Sequence, residues 1–442
     1  MALSTIKKKL RKDTAWALIL RVLTAISALA INVIVARLLD PEDVATYFLI
    51  TSMVSMLAFG GSFGLHIAVV RFVAEALGLS QEGRARQAIG KVMLLSVASS
   101  MVMFLLIWGG GMRLINDLFY QSETLAKSTV LVAGWVFVWA VQMNYAEIFR
   151  GFNDIRLAVT FRRLGPNALY LVALVAFYFV WPSIGLMAVL WAGLAAWALC
   201  LLICWAITAR LVAPLNHEGN IGYREILQAS WPLGVTTTLS FAMTQMDIWI
   251  LGALAVMNDL ALYGSAAKLT RFVIFPLFIL NATLPPLFSS LYAKGEHAEL
   301  EELLRRSSTW AALFGAITLG VSLVFGRQAL GLIYGDFYAD GSAYLQLLLV
   351  GLFFRLLGGA SQMALMMTGN ERVTMVLSFM STAILVVGGI IGGKFYGGMG
   401  VAWAVVAGQV FQNICYMYYV QKRLGVSALP DFRVFGRLYQ RR

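Results

Sequence analysis

Four basic side chains lie inside long apolar stretches of this sequence: Arg21, Lys268, Arg271 and Arg355. A charge near the middle of a bilayer costs at least about 2.5–3.5 kcal/mol, so such residues usually face protein or water and serve a function. The one carboxylate at comparable depth is Asp247, which leaves an excess of positive charge. This excess favours a water-filled cavity that receives an anion, because guanidinium and ammonium groups bind phosphate oxygens through charge-assisted hydrogen bonds.

Helical spacing places polar residues beside these cations. Asn32 follows Arg21 by eleven residues, or three helical turns, so both lie on one face. Lys268 and Arg271 are neighbours at positions i and i+3. Small and polar residues surround Arg355 at helical spacing: Gly351, Gly358 and Gln362. We predict a diphosphate- and sugar-binding cavity from the four cations with Asn32 and Gln362, although Arg21 could instead snorkel to the membrane surface.

Asp247 ends a polar face of the predicted seventh span. Three residues precede it at helical spacing: Thr237, Ser240 and Thr244. A lone deep carboxylate can take up a proton or a sodium ion, so Asp247 with Thr244 is the predicted ion-coupling site. Two alternatives remain open, since Ser and Thr stripes often serve helix packing and Asp247 could neutralise Lys268 or Arg271.

The composition of the 442-residue chain excludes a water-soluble enzyme. Hydrophobic residues make up 60%, charged residues make up 13%, and the mean hydropathy is +0.78. Apolar stretches continue from Trp16 to Val420, which indicates a polytopic membrane protein. The three cysteines lie in apolar stretches with no CxxC and no neighbouring His, so neither a disulfide framework nor a metal site is expected.

Twelve apolar stretches fit transmembrane helices, at residues 15–38, 44–72, 88–108, 126–149, 158–180, 184–209, 230–256, 259–291, 308–326, 343–368, 373–396 and 399–421. In the segments that connect them, 25 Lys and Arg residues fall on one side and five on the other. Because basic residues collect in cytoplasmic loops, both termini are predicted to be cytoplasmic. The net charge of +12 then follows from topology, and no nucleic-acid partner is predicted.

Two short matches at nearly the same offset indicate an internal repeat. DVATY at 43–47 recurs as DLALY at 259–263, and Ala and Gly five residues apart at 146–151 recur at 364–369. Because each repeat has six spans, an even number, both halves enter the membrane in the same direction. We therefore predict an all-α fold with twelve helices in two parallel six-helix repeats around a central cavity, in lobes 1–215 and 216–442.

Four segments carry a resemblance to a known family: RLLDPEDVATYF at 37–48, FGLHIAVVRFVAE at 63–75, MDIWILG at 246–252 and LPPLFSSLY at 284–292. They resemble the O-antigen (Wzx-like) oligosaccharide flippases of the multidrug/oligosaccharidyl-lipid/polysaccharide (MOP) exporter superfamily. The resemblance spans nearly the whole chain, and its motifs are shared with multidrug exporters and lipid II flippases.

The resemblance implies that a polyprenyl-diphosphate-linked oligosaccharide crosses from the cytoplasmic to the outer leaflet by alternating access. It implies a place in the bacterial inner membrane, in assembly of a cell-surface polysaccharide such as lipopolysaccharide, with polysaccharide polymerases as partners. Arg21, Lys268 and Arg271 would lie on the first and eighth helices, which border the cavity in relatives. No cofactor is expected beyond a coupling proton or sodium ion, because the phosphate-binding motif GxxxxGK[ST] is absent.

Three other functions remain open. A multidrug exporter of cationic drugs would favour acidic cavity residues, whereas this interior is net basic. Lipid II flippases usually carry two further C-terminal helices. A membrane glycosyltransferase or polymerase needs positioned acids, bases or a metal, whereas the few carboxylates between the predicted outer helix ends are explained by capping. We therefore predict a transporter and not an enzyme.

Overall fold

The computed structural model describes residues 2–181, 184–216, 219–254, 257–273 and 284–431. Over these ranges the chain is helical and has no β-strand, which confirms the predicted all-α class. The chain forms two compact units, Met1–Gln245 and Met246–Arg442. Large apolar side chains on the long helices are exposed, among them Phe179 at 79% and Phe395 at 78%. Such exposure fits helices whose outer faces contact lipid.

The first unit contains eight of the labelled helices. They are α1 Ala2–Leu38, α2 Pro41–Gly61, α3 Leu65–Gly78, α4 Glu82–Leu106, α5 Thr129–Gly151, α6 Ile155–Val180, α7 Leu186–Val212 and α8 Tyr223–Met243. Helix α4 continues through π-helical turns to Tyr120, and α6 contains a π-helical segment at Thr160–Leu164. The apolar core of this unit lies where α5 packs against α3, α4 and α7.

The second unit contains the remaining labelled helices. They are α9 Met246–Ala253, α10 Met257–Val273, α11 Pro285–Lys294, α12 His297–Tyr334, α13 Ser342–Leu357, α14 Ser361–Met367 and α15 Glu371–Leu424. Helix α15 consists of two helices joined at Gly397, whose φ is 58° and ψ is −143°. In this unit α13 packs against α10, α12 and α15.

Nine helices in the described ranges are long and apolar enough to cross a membrane, compared with twelve predicted spans. The predicted eleventh and twelfth spans both lie in α15. The predicted seventh span is broken between α8 and α9, and the predicted eighth runs through 274–283, outside the described residues. The predicted second span is also two helices, because the chain turns at Phe63 and Gly64, where φ is 51° and 72°.

Helix boundaries recur along the chain at the predicted offset. Helices α4 and α12 begin at 82 and 297, and helices α6 and α15 begin at 155 and 371. These starts are 215 and 216 residues apart, which confirms the internal repeat that the sequence matches indicated.

Helix α8 packs against α2 and α3 and so belongs to the first compact unit. The contact is formed at two glycines, since a Cβ at Gly64 would lie 2.2 Å from the Ser230 carbonyl oxygen and 2.4 Å from the Gly234 nitrogen. The predicted lobe boundary at 215/216 describes the repeats and remains a prediction. The boundary between the two compact units, at 245/246, comes one helix later in the chain, after α8.

The segment that joins α7 to α8 is bound to α4. The Arg86 guanidinium donates to the carbonyl oxygens of Ala213 (3.3 Å) and Leu215 (2.9 Å), near the end of α7. Lys91 Nζ donates to the Ile221 carbonyl oxygen at 2.5 Å. Gly219 packs on the start of α4, where a Cβ would lie 2.3 Å from the Arg84 nitrogen. This linker is therefore fixed to the first unit on both sides of residues 217–218.

Candidate functional site

The predicted cations lie on helices of both compact units. Arg21 has an exposed side chain on α1, and Arg355 has an exposed side chain in the last turn of α13. Lys268 is half-buried on α10. Arg271 lies on the same helix, but its side chain is outside the described residues. Because α10 packs against α13, the second unit brings together the helices that carry three of the four cations.

A polar cluster on α15, which the sequence interpretation missed, lies beside Arg355 of α13. The Gln412 amide donates to Ser378 Oγ at 3.0 Å and to Tyr416 Oη at 2.9 Å, and the two hydroxyl oxygens are 3.0 Å apart. Arg355 interacts electrostatically with Tyr416. Gln412 and Tyr416 are i,i+4 neighbours, a spacing that could have revealed them. The second unit thus adds hydroxyl and amide groups, which can bind sugar hydroxyls, to a cation.

The predicted stripe around Arg355 does not lie on one helix. Helix α13 ends at Leu357, the chain turns through 358–360, and Gln362 is exposed on α14. A Cβ at Gly351 would lie 2.8 Å from Gln409 Oε1, so this glycine allows α13 to approach α15 closely. The prediction of a continuous helix over 343–368 is therefore wrong, and Gly351 serves helix packing.

Asp247 accepts two hydrogen bonds at the start of α9. Tyr263 Oη donates to its Oδ2 at 2.6 Å, and the Ile248 backbone N–H donates to its Oδ1 at 2.9 Å. Thr244 precedes the helix break and donates to the Phe241 carbonyl oxygen at 2.7 Å. The predicted polar face from Thr237 to Asp247 is thus interrupted, because α8 ends before Thr244. Asp247 remains a half-buried carboxylate with a tyrosine partner.

Asn32 uses its side-chain amide locally. Its Nδ2 donates to the Ala28 carbonyl oxygen at 2.6 Å, within α1. The side chain is half-buried, whereas that of Arg21 on the same helix is exposed. The helix spacing predicted for the two residues is present, since α1 runs unbroken from Ala2 to Leu38.

A second carboxylate, which the sequence interpretation did not single out, is buried within the protein near the end of α5. Glu147 on α5 is 1% exposed and forms ion pairs with Arg150, at 3.2 Å, and with Arg162. The spacing of Glu147 and Arg150 by three residues was visible in the sequence. The partner Arg162 was not, because it lies on a different helix, α6.

The first unit also carries an open groove of about 740 Å³ between α3 and α8. Its lining includes two arginines, Arg71 and Arg224, with Glu225 and Gln228. Arg84 lies beside it, 3.1 Å from Glu225 and 3.8 Å from Glu75. The groove is polar and its charges are largely paired.

No group of three or more His, Cys, Asp or Glu side chains in the described ranges could hold a metal ion. Cys200, Cys204 and Cys415 are free thiols. Among the predicted site residues, Arg21, Lys268 and Arg355 are cations that can bind phosphate oxygens, and Asn32 and Gln362 carry amides that can bind hydroxyl groups.

A sequence-family model described as "Polysaccharide biosynthesis protein" matches residues 10–292, which is more than half of the chain. This chain belongs to that polysaccharide biosynthesis family. The capsular polysaccharide biosynthesis protein CapF of Staphylococcus aureus is 26% identical over 227 residues, or 50% of this chain and 56% of the relative. The chain thus spans about half the length of this curated relative.

Solved structures of transporters share the fold of this chain. An inward-facing multidrug resistance MATE transporter of the MOP superfamily is 18% identical, covers 91% of this chain and 94% of its own, and superposes with a TM-score of 0.77. A MOP superfamily transporter from Pyrococcus furiosus, described as having a binding pocket of reverse polarity, is 18% identical with a TM-score of 0.63, over 93% of this chain and 94% of its own. A second family model, MatE, matches residues 232–391.

These likenesses confirm the predicted fold of two repeated helical bundles. The chain thus belongs to the polysaccharide biosynthesis family and has the fold of the MATE transporters of the MOP superfamily. The resemblance drawn from the four sequence segments is confirmed at this level.

Proposed function

We propose that the protein is a flippase that moves a polyprenyl-diphosphate-linked oligosaccharide repeat unit from the cytoplasmic to the outer leaflet. The observation that carries this proposal is the match of the polysaccharide biosynthesis family over residues 10–292 in a chain with a transporter fold. A transporter that serves polysaccharide synthesis must move a sugar across the membrane. Each sugar hydroxyl costs several kcal/mol in hydrocarbon, about 4–8 in the least polar reference solvent, so the headgroup needs a polar path.

The cations supply the part of the site that receives the diphosphate. Exposed Arg21 and Arg355 stand on apolar helices, and Lys268 and Arg271 share a helix that packs against α13. In this proposal they bind phosphate oxygens, while Asn32, Gln362 and the polar cluster on α15 bind sugar hydroxyls. Outward movement of two negative charges is also favoured by an inside-negative potential, by about 2.3 kcal/mol per charge per 100 mV.

The test is transport by the purified protein in sealed vesicles. A fluorescent polyprenyl-diphosphate oligosaccharide is added, and its appearance in the opposite leaflet is followed with a lectin or a glycosidase that cannot enter. We expect protein-dependent movement of this lipid and slower movement of lipid II, whose headgroup differs. Protein-free vesicles and heat-denatured protein are the controls. Absence of movement with several sugar compositions, in correctly folded protein, contradicts the flippase proposal.

Multidrug export is the second candidate, favoured by the MatE model over residues 232–391 and by the MATE transporter fold. Cationic drugs need carboxylates in the path, whereas Arg21 on α1 and Arg355 on α13 are exposed arginines. The same vesicles, loaded with a cationic dye and given a proton or sodium gradient, separate the two functions. Dye export without movement of the lipid-linked sugar would establish the exporter.

Ion coupling is proposed at Asp247, which accepts from Tyr263 at 2.6 Å. The variant Asp247→Asn keeps the shape but cannot bind a proton or a sodium ion as a carboxylate does. We expect it to lose the dependence of the transport rate on an imposed ion gradient while movement without a gradient continues. Tyr263→Phe, which keeps the carboxylate and removes its hydroxyl partner, should retain part of the dependence. Gradient-driven transport at the parent rate in Asp247→Asn would contradict this role.

The proposal places the protein in the bacterial inner membrane with both termini in the cytoplasm. The one-sided distribution of Lys and Arg supports this orientation. A polysaccharide polymerase that receives the flipped unit is the partner that this function requires, and lipopolysaccharide is one of the products to which such a unit contributes.

A further inference from the structure

The end of the first unit where α5 ends and α6 begins contains two arginines held by one buried carboxylate. Glu147 Oε2 pairs with Arg150 at 3.2 Å, and Oε1 pairs with Arg162. The Glu147 side chain is 2% exposed, whereas those of Arg150 and Arg162 are 38% and 31% exposed. The carboxylate is therefore buried, whereas the two arginine side chains that pair with it are partly exposed.

The backbone of α6 is adapted to this arrangement. Arg162 lies in the π-helical segment Thr160–Leu164, and π-helical turns inside α-helices occur frequently at functional sites. The buried Gln142 amide of α5 donates to the Phe161 carbonyl oxygen of this segment at 2.9 Å. Helix α5 thus fixes the backbone before Arg162 through Gln142, and it fixes the Arg162 side chain through Glu147. Arginines that serve topology alone need no such support.

The charges and donors of this cluster leave room for an anion. One carboxylate and two guanidinium groups sum to a single positive charge, and each guanidinium has five N–H donors of which Glu147 uses few. Two guanidinium groups that pair with the same carboxylate lie close together. One phosphate group can therefore accept hydrogen bonds from both of them. Nearby, Arg156 lies 5.6 Å from the ring of Trp16, an exposed aromatic residue of α1. Tryptophan is typical of the membrane–water interface, which is the depth of lipid phosphates.

We propose that Arg150 and Arg162, positioned by Glu147, form a binding site for the phosphate group of a membrane lipid on the first unit. Two lipids carry this chemistry, an anionic glycerophospholipid and a polyprenyl diphosphate. The site holds the phosphate at the membrane surface, and α1, the helix that carries Arg21, packs against the π-helical segment that contains Arg162. If the lipid is the polyprenyl diphosphate, the site binds the substrate before transport. This interpretation rests on the proposed flippase function.

The test is lipid binding to the purified full-length protein in a neutral detergent, counted by native mass spectrometry. Phosphatidylglycerol, a polyprenyl diphosphate and phosphatidylcholine are titrated in separate experiments. We expect a saturable bound lipid with one or both of the first two and none with phosphatidylcholine. Arg150→Ala should weaken that binding about tenfold, the effect of one lost charge-assisted hydrogen bond. Preference for one of the two anionic lipids identifies the source.

The double variant Arg150→Lys with Arg162→Lys keeps both positive charges beside Glu147 and therefore keeps the protein folded. It should still bind the lipid more weakly than the parent, because lysine presents a point charge instead of a fork of donors. Arg113→Ala, which removes an exposed arginine elsewhere in the unit, is the matched control. Binding at the parent affinity in Arg150→Ala and in the double variant, or an equal loss in Arg113→Ala, would overturn the site. Because the measurement involves no transport, its outcome is independent of the flippase proposal.

Discussion

Replacement of Arg355 by alanine is expected to reduce translocation of the lipid-linked oligosaccharide about 10- to 100-fold. The estimate follows from the loss of one hydrogen bond between charged groups, about 1.5–3 kcal/mol. Arg21→Ala should act in the same direction, and Arg355→Glu should be worse than Arg355→Ala because the new carboxylate repels phosphate. Arg355→Lys should retain part of the activity, since lysine keeps the charge but loses the bidentate geometry. The measurement is the initial rate in vesicles at a lipid concentration below saturation.

A structural role for Arg355 predicts a different result. The residue lies in the last turn of α13, where a cation stabilises the helix dipole by about 0.3–1 kcal/mol. If that were its purpose, Arg355→Ala would lower the melting temperature and the protein yield together with the transport rate. Arg327→Ala is the matched control, because Arg327 is exposed on α12 and pairs with exposed Asp340 at 3.1 Å. Parent rates in Arg21→Ala, in Arg355→Ala and in the double variant would refute the cationic site.

Replacement of Gly64 by alanine is expected to destabilise the protein by at least about 2 kcal/mol. The left-handed conformation at this position, with φ of 72°, costs a non-glycine residue about 1–2 kcal/mol. The added Cβ would also lie 2.2 Å from the Ser230 carbonyl oxygen, so α8 must move away from α3. Overpacking of this kind typically costs a further 1–3 kcal/mol, roughly. Thermal unfolding of the detergent-solubilised protein should show a melting temperature several degrees below that of the parent.

Two control variants separate these contributions. Gly425→Ala introduces a side chain at a φ of 70° with open space around it, so it carries the conformational cost alone. Gly78→Ala lies in α3 with open space and an ordinary φ, and it should be neutral or slightly stabilising. If Gly64→Ala melts at the same temperature as Gly425→Ala, the close contact between α3 and α8 contributes no stability.

The sequence predicted the fold well because hydropathy and basic residues report on the membrane directly. It failed where a helix breaks without a change in hydropathy. Thr244 and Gln245 interrupt a polar face that continues on both sides, and nothing in their composition distinguishes a turn from a helix. Gly358 was interpreted as part of a helical stripe, whereas the chain turns at residues 358–360, where Gly359 has a φ of 52°.

The candidate site was only partly predictable for a related reason. Single cations stand out in apolar stretches of sequence, so Arg21 and Arg355 could be proposed as site residues from the sequence alone. Glu147 could not be recognised as part of a cluster, because Arg162 reaches it through a π-helical segment that helical periodicity does not anticipate. Arg150 and Arg162 were counted only among the basic residues of the connecting segments, and that count does not describe what they contact.

The position of α8 has a consequence for how the chain is made. The first repeat of the sequence ends before Tyr223, yet the first compact unit also includes the helix Tyr223–Met243. Ribosomes deliver the chain from its N-terminus and domains generally fold as units. When the first six spans have been inserted, the surface of α3 at Gly64 still lacks the residues that cover it, Ser230 and Gly234. Folding of the first unit is therefore complete only after the first helix of the second repeat has been inserted. A nascent chain that stalls between the repeats leaves an incompletely folded unit in the membrane.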